Sequence, residues 1–468
     1  MAVLLSLHQS SELKPRPNYP HLNGRPHPPS TAPRLAAKLL GLSMILLTVL
    51  VPVADSSLSD IAIITTSIPT METKMYKFSW QRATFYANGL YYAFWENTGT
   101  CEGQSGCLYY ATSPDGLTWN TPVNVGVHVT REDFSLTTNS THAFYTRFNE
   151  TSFFSNSCNR PLLFRAGALS SPIIWQPERV VKPGNTTAQW INPVVRLDSN
   201  NQAWIGYMDN SNSVCGGNGI QVPVVIHSQG TNYAAWTGQT ILTTAHSAGW
   251  AVDLASLPNR AMYAVYWLHT ARNSDLHGRL YNGTWLADEQ ISPVSDLLDT
   301  DAFVFSSGTT IHTVWLDTNT GKLSYNSRTF SPPSPGTWGT TVRIATAECC
   351  SNNSFYPIPW TATYEGLTSN IHVYWYNYTH NRIDLYSGLS TNWIGPSPGW
   401  NTNQADILSS LTAFHYSSTT LNNATIGVLF IDGSSIRAPV LKYVTENIDP
   451  PPSSGPAGGG GGSHIRNL

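Results

Sequence analysis

Acidic and aromatic residues stand together at the openings of short apolar runs in this sequence. Glu132 and Asp133 precede Phe134, Trp190 stands beside Asn192, Trp250 beside Asp253 and Asp299 beside Asp301. Trp360 opens a sixth run, and Arg82 lies near the start of the first. Carboxylates take hydrogen bonds from hydroxyls, and indole rings stack on C–H faces, so this is a set of groups suited to a sugar. A pair of the aspartates can also act as acid and base in glycoside cleavage. Each residue has a competing structural use, Asp as a turn cap and Trp as packing between sheets. The 14 histidines form no H-x-x-x-H pair or other ligand cluster, and no G-x-S-x-G, phosphate-binding or dinucleotide fingerprint is present, so neither a metal nor a cofactor is expected.

These groups have to be positioned by strands. Of 468 residues, 41% are hydrophobic, 11% aromatic and only 11% charged, against about 25% charged in ordinary soluble domains. The net charge of −3 provides no basic field for nucleic acid. Runs of Val, Ile, Tyr, Trp, Phe and Thr alternate with Gly, Asn, Asp, Pro and Ser clusters, and no amphipathic helix of three turns appears.

Two markers repeat along these runs. The first closes an apolar strand with a polar residue at Glu96, Asn149, Asp209, His269, Asp317, Asn377 and Asp432. The second is a Trp after the next strand, at Trp119, Trp175, Trp236, Trp285, Trp338 and Trp393. Successive copies lie 48 to 61 residues apart. That period holds four short strands and their turns, so the expected fold is an all-β propeller of four-stranded blades, seven in number, with six as the rival count. Blades are expected to begin near Lys77, Arg131, Gln189, Gly249, Thr300, Pro359 and Leu411. The last supplies only three strands, and Ile61–Ser67 is expected to add the fourth and close the ring, because an open ring exposes two sheet edges.

The segment Ser113–Trp119, SPDGLTW, resembles the Asp-box of sialidase-type (BNR-repeat) propellers, one residue shorter between Asp and Gly. In this reading Ser113, Asp115, Gly116 and Trp119 are structural: Asp caps amides of a tight turn, Gly takes the unusual φ, and Trp packs between strands. The resemblance implies an arginine triad for a substrate carboxylate, a Tyr-Glu nucleophile and an Asp acid/base. Gln81-Arg82-Ala83 and Glu96 look like the family's opening Arg and a later Glu, and Tyr364-Glu365 echoes the Tyr and Glu. The R-I-P neighbourhood is absent, and the second and third arginines have no assigned counterparts.

Propeller topology places all six cysteines on the face that opens the inner strands. Cys101 is expected to bridge Cys107 within one loop, Cys158 to bridge Cys215 between neighbouring loops, and Cys349 to bridge Cys350. Residues 1–57 read as a basic lead and a signal peptide or membrane anchor, with the 16-residue uncharged run Leu39–Ala54 following Lys14, Arg16, Arg25, Arg34 and Lys38. Residues 58–449 form the propeller, and 450–468 a Pro/Gly-rich flexible tail. The expected location is therefore secreted or on the extracellular face of the cell membrane, with membrane contact only through the N-terminal segment. Sequons at Asn139, Asn149, Asn185, Asn282, Asn352, Asn377 and Asn423 permit glycosylation. The leading functional expectation is non-catalytic binding of a glycan or another surface ligand through Arg82, Asp133, Trp190, Trp250, Asp253, Asp299, Asp301 and Trp360. A sialidase-like glycoside hydrolase and an adhesive surface protein are the alternatives.

Overall fold

A computed structural model of the protein describes residues 56–66, 82–129, 134–149, 160–185, 190–209, 221–244, 252–269, 274–292, 299–317, 322–331, 336–344, 360–377, 380, 382–401, 412–417, 424–432 and 440–448. These form seven antiparallel sheets. The innermost strands of blades 1 to 7 are Thr84–Ala87, Phe134–Thr138, Trp190–Leu197, Val252–Ser256, Asp299–Ser307, Trp360–Tyr364 and Thr412–Ser417. Each lies beside the next, and that of blade 7 lies beside that of blade 1. The ring has seven blades, as the doubled repeat predicts.

Blade 7 is completed from the other end of the chain. Its third strand, Val440–Ile448, pairs with both Ser56–Leu58 and Ala62–Thr65. Closure therefore uses two short strands where one, Ile61–Ser67, was expected. The break between them seats Ser59, whose carbonyl accepts the Trp400 indole N–H of blade 6 at 3.0 Å and whose hydroxyl accepts the Thr445 amide at 2.8 Å.

The repeated Trp explains how the blades hold together. Each packs edge-on against an aromatic ring of the preceding blade: Trp119 on Tyr443, Trp175 on Phe94, Trp236 on Phe164, Trp285 on Trp204, Trp338 on Tyr263 and Trp393 on Tyr325. Centroids are 4.9 to 6.4 Å apart and planes 65 to 79° apart. Edge-to-face pairs each add about 0.5–1.5 kcal/mol beyond the area they bury. The sequence period is thus the period of the seam.

At Ser113–Trp119 the turn is fixed by its own polar atoms. Asp115 Oδ1 accepts the amides of Leu117 and Thr118 at 2.8 and 2.7 Å, Ser113 Oγ accepts the Gly116 amide at 2.8 Å, and the Trp119 indole donates to the Gly116 carbonyl at 3.2 Å. Gly116 has φ +76°, and a Cβ there would meet Thr445 Cγ2 at 2.8 Å. Conformation and space both require glycine. The two amides hold the Asp115 carboxyl down at about 2.

The cysteine-bearing segment after Glu96 differs from expectation. It is a hairpin, not a loop: Leu90–Cys101 runs into Gln104–Ser113 through a two-residue turn at Glu102 and Gly103, with φ +52° and +80°. Two positive φ values match the twist of a tight hairpin. The Cys101–Cys107 disulfide crosses its tip. Glu102 and Glu178 both pair with the fully buried Arg147 guanidinium, at 3.0 and 2.7 Å, which ties the hairpin to blade 2. Cys158, Cys215, Cys349 and Cys350 lie outside the described residues.

Candidate functional site in the central channel

The inner strands enclose a cavity of about 370 Å³ lined by blades 1 to 6. These strands alternate, so every second side chain enters the channel while its neighbours pack between sheets. Two arginines line the cavity, Arg82 at the opening of blade 1 and Arg196 in blade 3.

Arg196 is 6% exposed and Asp253 of blade 4 is 3% exposed. They form an ion pair at 2.7 Å, and the second Asp253 oxygen accepts the Val304 amide of blade 5 at 3.1 Å. Asp253 thus links three consecutive blades. Burial lowers the Arg196 pKa, and Asp253 works against that shift. A buried pair of this kind loses about 3–5 kcal/mol if one partner is removed, because the other charge remains desolvated.

Arg82 has no such partner. Among the described residues no oxygen pairs with its guanidinium, which lies 5.8 Å from the centroid of the Phe305 ring. Burial first, and then the charge of Arg196, push its pKa down to about 9, against the pull of Asp253. It is still charged at neutral pH. Its backbone has φ +42°, and its carbonyl accepts the Leu136 amide of blade 2 at 3.3 Å, so the neighbouring strand holds the residue in this uncommon conformation. Among the described residues, two guanidinium groups and one carboxylate leave the cavity net positive, with the largely buried Phe305 ring at its edge. Such a site complements an anion carried on a partly apolar frame.

Toward the far ends of the inner strands the lining turns to hydroxyls. Tyr364 bonds Ser307 at 2.6 Å and stacks on His312 at 5.6 Å. His312 in turn meets the Tyr325 hydroxyl at 2.9 Å, and burial lowers its pKa to about 4.

Of the residues singled out from sequence, Arg82 and Asp253 come together here. Trp360 does not: it is fully buried, edge-on to Phe303 at 4.8 Å, and has no surface for a ligand. Its place in the strand alternation points it into the seam rather than the channel. Trp190, Asp299 and Asp301 lie on the inner strands of blades 3 and 5, where only their backbone is described. Asp133 and Trp250 lie outside the described residues. Glu365 is no nucleophile in this arrangement. It is buried, and its carboxylate caps its own turn by accepting the Leu367 and Thr368 amides. Arg196 escaped the sequence reading, although a lone charge inside the apolar run INPVVRL was a usable signal.

The sequons also sort by position. Asn282 and Asn185 are exposed. Asn377 is 3% exposed and its amide donates to buried Asp384 at 2.7 Å, so the folded protein has no room for a glycan there. Asn139 and Asn149 are half-buried, and Asn352 and Asn423 lie outside the described residues.

Fold and cavity together define a seven-bladed β-propeller with a charged central channel. No family model matches the sequence, and comparison with curated proteins gives no match. Among solved structures the chain is similar to an α-L-arabinanase of Penicillium chrysogenum complexed with arabinobiose (15% identity, 71% of this chain and 98% of that one, TM-score 0.44). It is also similar to an α-L-arabinofuranosidase of Fusarium graminearum in complex with an iminosugar inhibitor (12%, 83% and 97%, TM-score 0.45). A third is a mutant Trypanosoma rangeli sialidase displaying trans-sialidase activity (10%, 83% and 58%, TM-score 0.45). The likeness to sialidase-type propellers suggested by SPDGLTW is one of architecture. At these scores it carries nothing about activity, and the architecture rests on the seven sheets themselves.

Proposed function

We propose that this propeller binds an acidic glycan in its central channel without cleaving it. The observation that carries this reading is the Arg82 guanidinium, charged, partnerless among the described residues and set over Phe305 beside the Arg196–Asp253 pair. A carboxylate or sulfate on the sugar supplies the missing counter-charge. Asp253 supports the non-catalytic reading, because both of its oxygens are committed to Arg196 and Val304. A carboxylate locked between a guanidinium and a backbone amide is placed as a brace between blades, not aimed at a substrate. We further propose that the propeller works outside the cytoplasm, supported by the Leu39–Ala54 run and by a disulfide of the kind that persists in oxidising compartments. A fluorogenic glycoside panel run beside a glycan array tests the proposal. Binding to carboxylated or sulfated glycans with no turnover is expected. Turnover would make the protein a hydrolase, and an array without acidic-glycan signal would leave the adhesive reading.

A further inference from the structure

A second cavity, of about 530 Å³, lies at the seam of blades 2 and 3 among the turns opposite the cysteine-bearing face. We infer that it is a separate binding site for a neutral saccharide. Its floor is Tyr233, which is 8% exposed and wedged between Phe144 and Phe164 of blade 2 at 5.3 and 5.1 Å. The Tyr233 hydroxyl donates to the Asn201 carbonyl at 3.0 Å. Tyr233 has φ +56°, a conformation that a bulky residue keeps only when its surroundings fix it. The two rings and the hydroxyl bond do so here. Across the seam the Asn139 amide donates to Asn201 Oδ1 at 3.1 Å, so the two turns that frame the cleft are joined and its shape is preset.

The walls are polar, and their free groups are mostly amides. Asn232 uses its oxygen to accept the Ala234 amide at 3.1 Å, and among the described residues its NH2 has no acceptor. The exposed Gln176 amide and Arg179 guanidinium likewise have no partner among the described residues. His142 completes the wall, and no carboxylate is among the lining residues. Amides both donate and accept, as vicinal hydroxyls do, and one solvated guanidinium is a donor without a strong field. That complement is an uncharged sugar, in contrast to the arginine-lined channel. A rigid concave floor with a few converging polar groups is the usual build of such sites.

The test is calorimetric titration of the full chain with maltotriose, cellotriose and mannotriose. Two variants probe the cleft without touching the core: Gln176→Ala combined with Arg179→Ala, which removes polar partners, and Thr231→Trp, which fills the space from an exposed position. At least one trisaccharide should bind wild type. Both variants should weaken it tenfold or more with the melting temperature unchanged, and Arg82→Ala should leave it unaffected. The inference is overturned if none of the three binds, if binding survives both variants, or if it is lost with Arg82→Ala, which would place the sugar in the channel.

Discussion

Single side chains decide whether the channel is a site or a brace, and Asp253 is the brace. Asp253→Asn keeps the shape but leaves Arg196 charged and desolvated, so urea unfolding should show a loss of about 3 kcal/mol. A change below about 0.5 kcal/mol would show that the pair is better solvated than its burial suggests. Two other groups give the protein a readable pH response. His312 is held neutral in the fold, with its pKa lowered to about 4 by burial. The unfolded chain therefore binds the extra proton first, and stability should fall as pH drops from about 6.5 toward 4. His312→Gln should flatten that part of the stability curve. Asp115 acts with the same sign in a lower pH window, because there too the unfolded chain binds the proton first. Its carboxylate, lowered to about 2 by the Thr118 and Leu117 amides, stabilises the turn fully above pH 4 and loses that role as pH falls toward 2. Asp115→Asn should therefore be less stable than wild type at pH 6 and equal to it near pH 2. A constant difference would place the effect elsewhere.

At the scale of elements the repeat itself is the mechanism of assembly. A period of four strands was legible because each blade must present a Trp to the blade before it, and that demand recurs in the sequence wherever the geometry recurs. Trp338, half-buried between Tyr263 and the Arg328 guanidinium at 5.4 Å, is a fair test. Trp338→Ala should cost about 2–3 kcal/mol, toward the low end for a large aromatic because the ring is not fully enclosed, and Trp338→Phe should recover part of the loss. The hairpin at Cys101–Cys107 differs from the expected loop because its residues are mostly Asn, Gly, Glu, Gln and Ser, which are depleted in strands or favour turns, and its Thr residues are too few to mark a strand. Its strands are set by the Glu102–Gly103 turn and by the cross-link. Trp360 was misassigned because composition does not show which way a residue near a strand opening faces. That parity is fixed by the neighbouring strand, and in blades 3 and 5 it shifts again at bulges beside Asn192–Pro193 and Asp301–Ala302. Arg196 stands near the end of its strand, away from the strand openings where the acidic and aromatic residues cluster in the sequence.

The whole molecule depends on a closure between residues far apart in the chain, since Ser56–Leu58 and Ala62–Thr65 complete the blade that ends at Ile448. Removing residues up to Ser67 should lower the melting temperature of the entire ring, not of blade 7 alone, because two sheet edges open at once. An unchanged, cooperative melt would refute the closure. The same ring brings Arg82, Arg196 and Asp253 from three blades to one channel, a juxtaposition that no local pattern encodes. The central claim is that this channel holds an acidic glycan through Arg82. The most direct measurement is the affinity of wild type and of Arg82→Ala for the carboxylated and sulfated members of a glycan array, with melting temperatures taken alongside. Loss of at least tenfold in affinity for acidic glycans with an unaltered melting temperature is predicted. Acidic-glycan binding that is equally tight in Arg82→Ala would contradict the account.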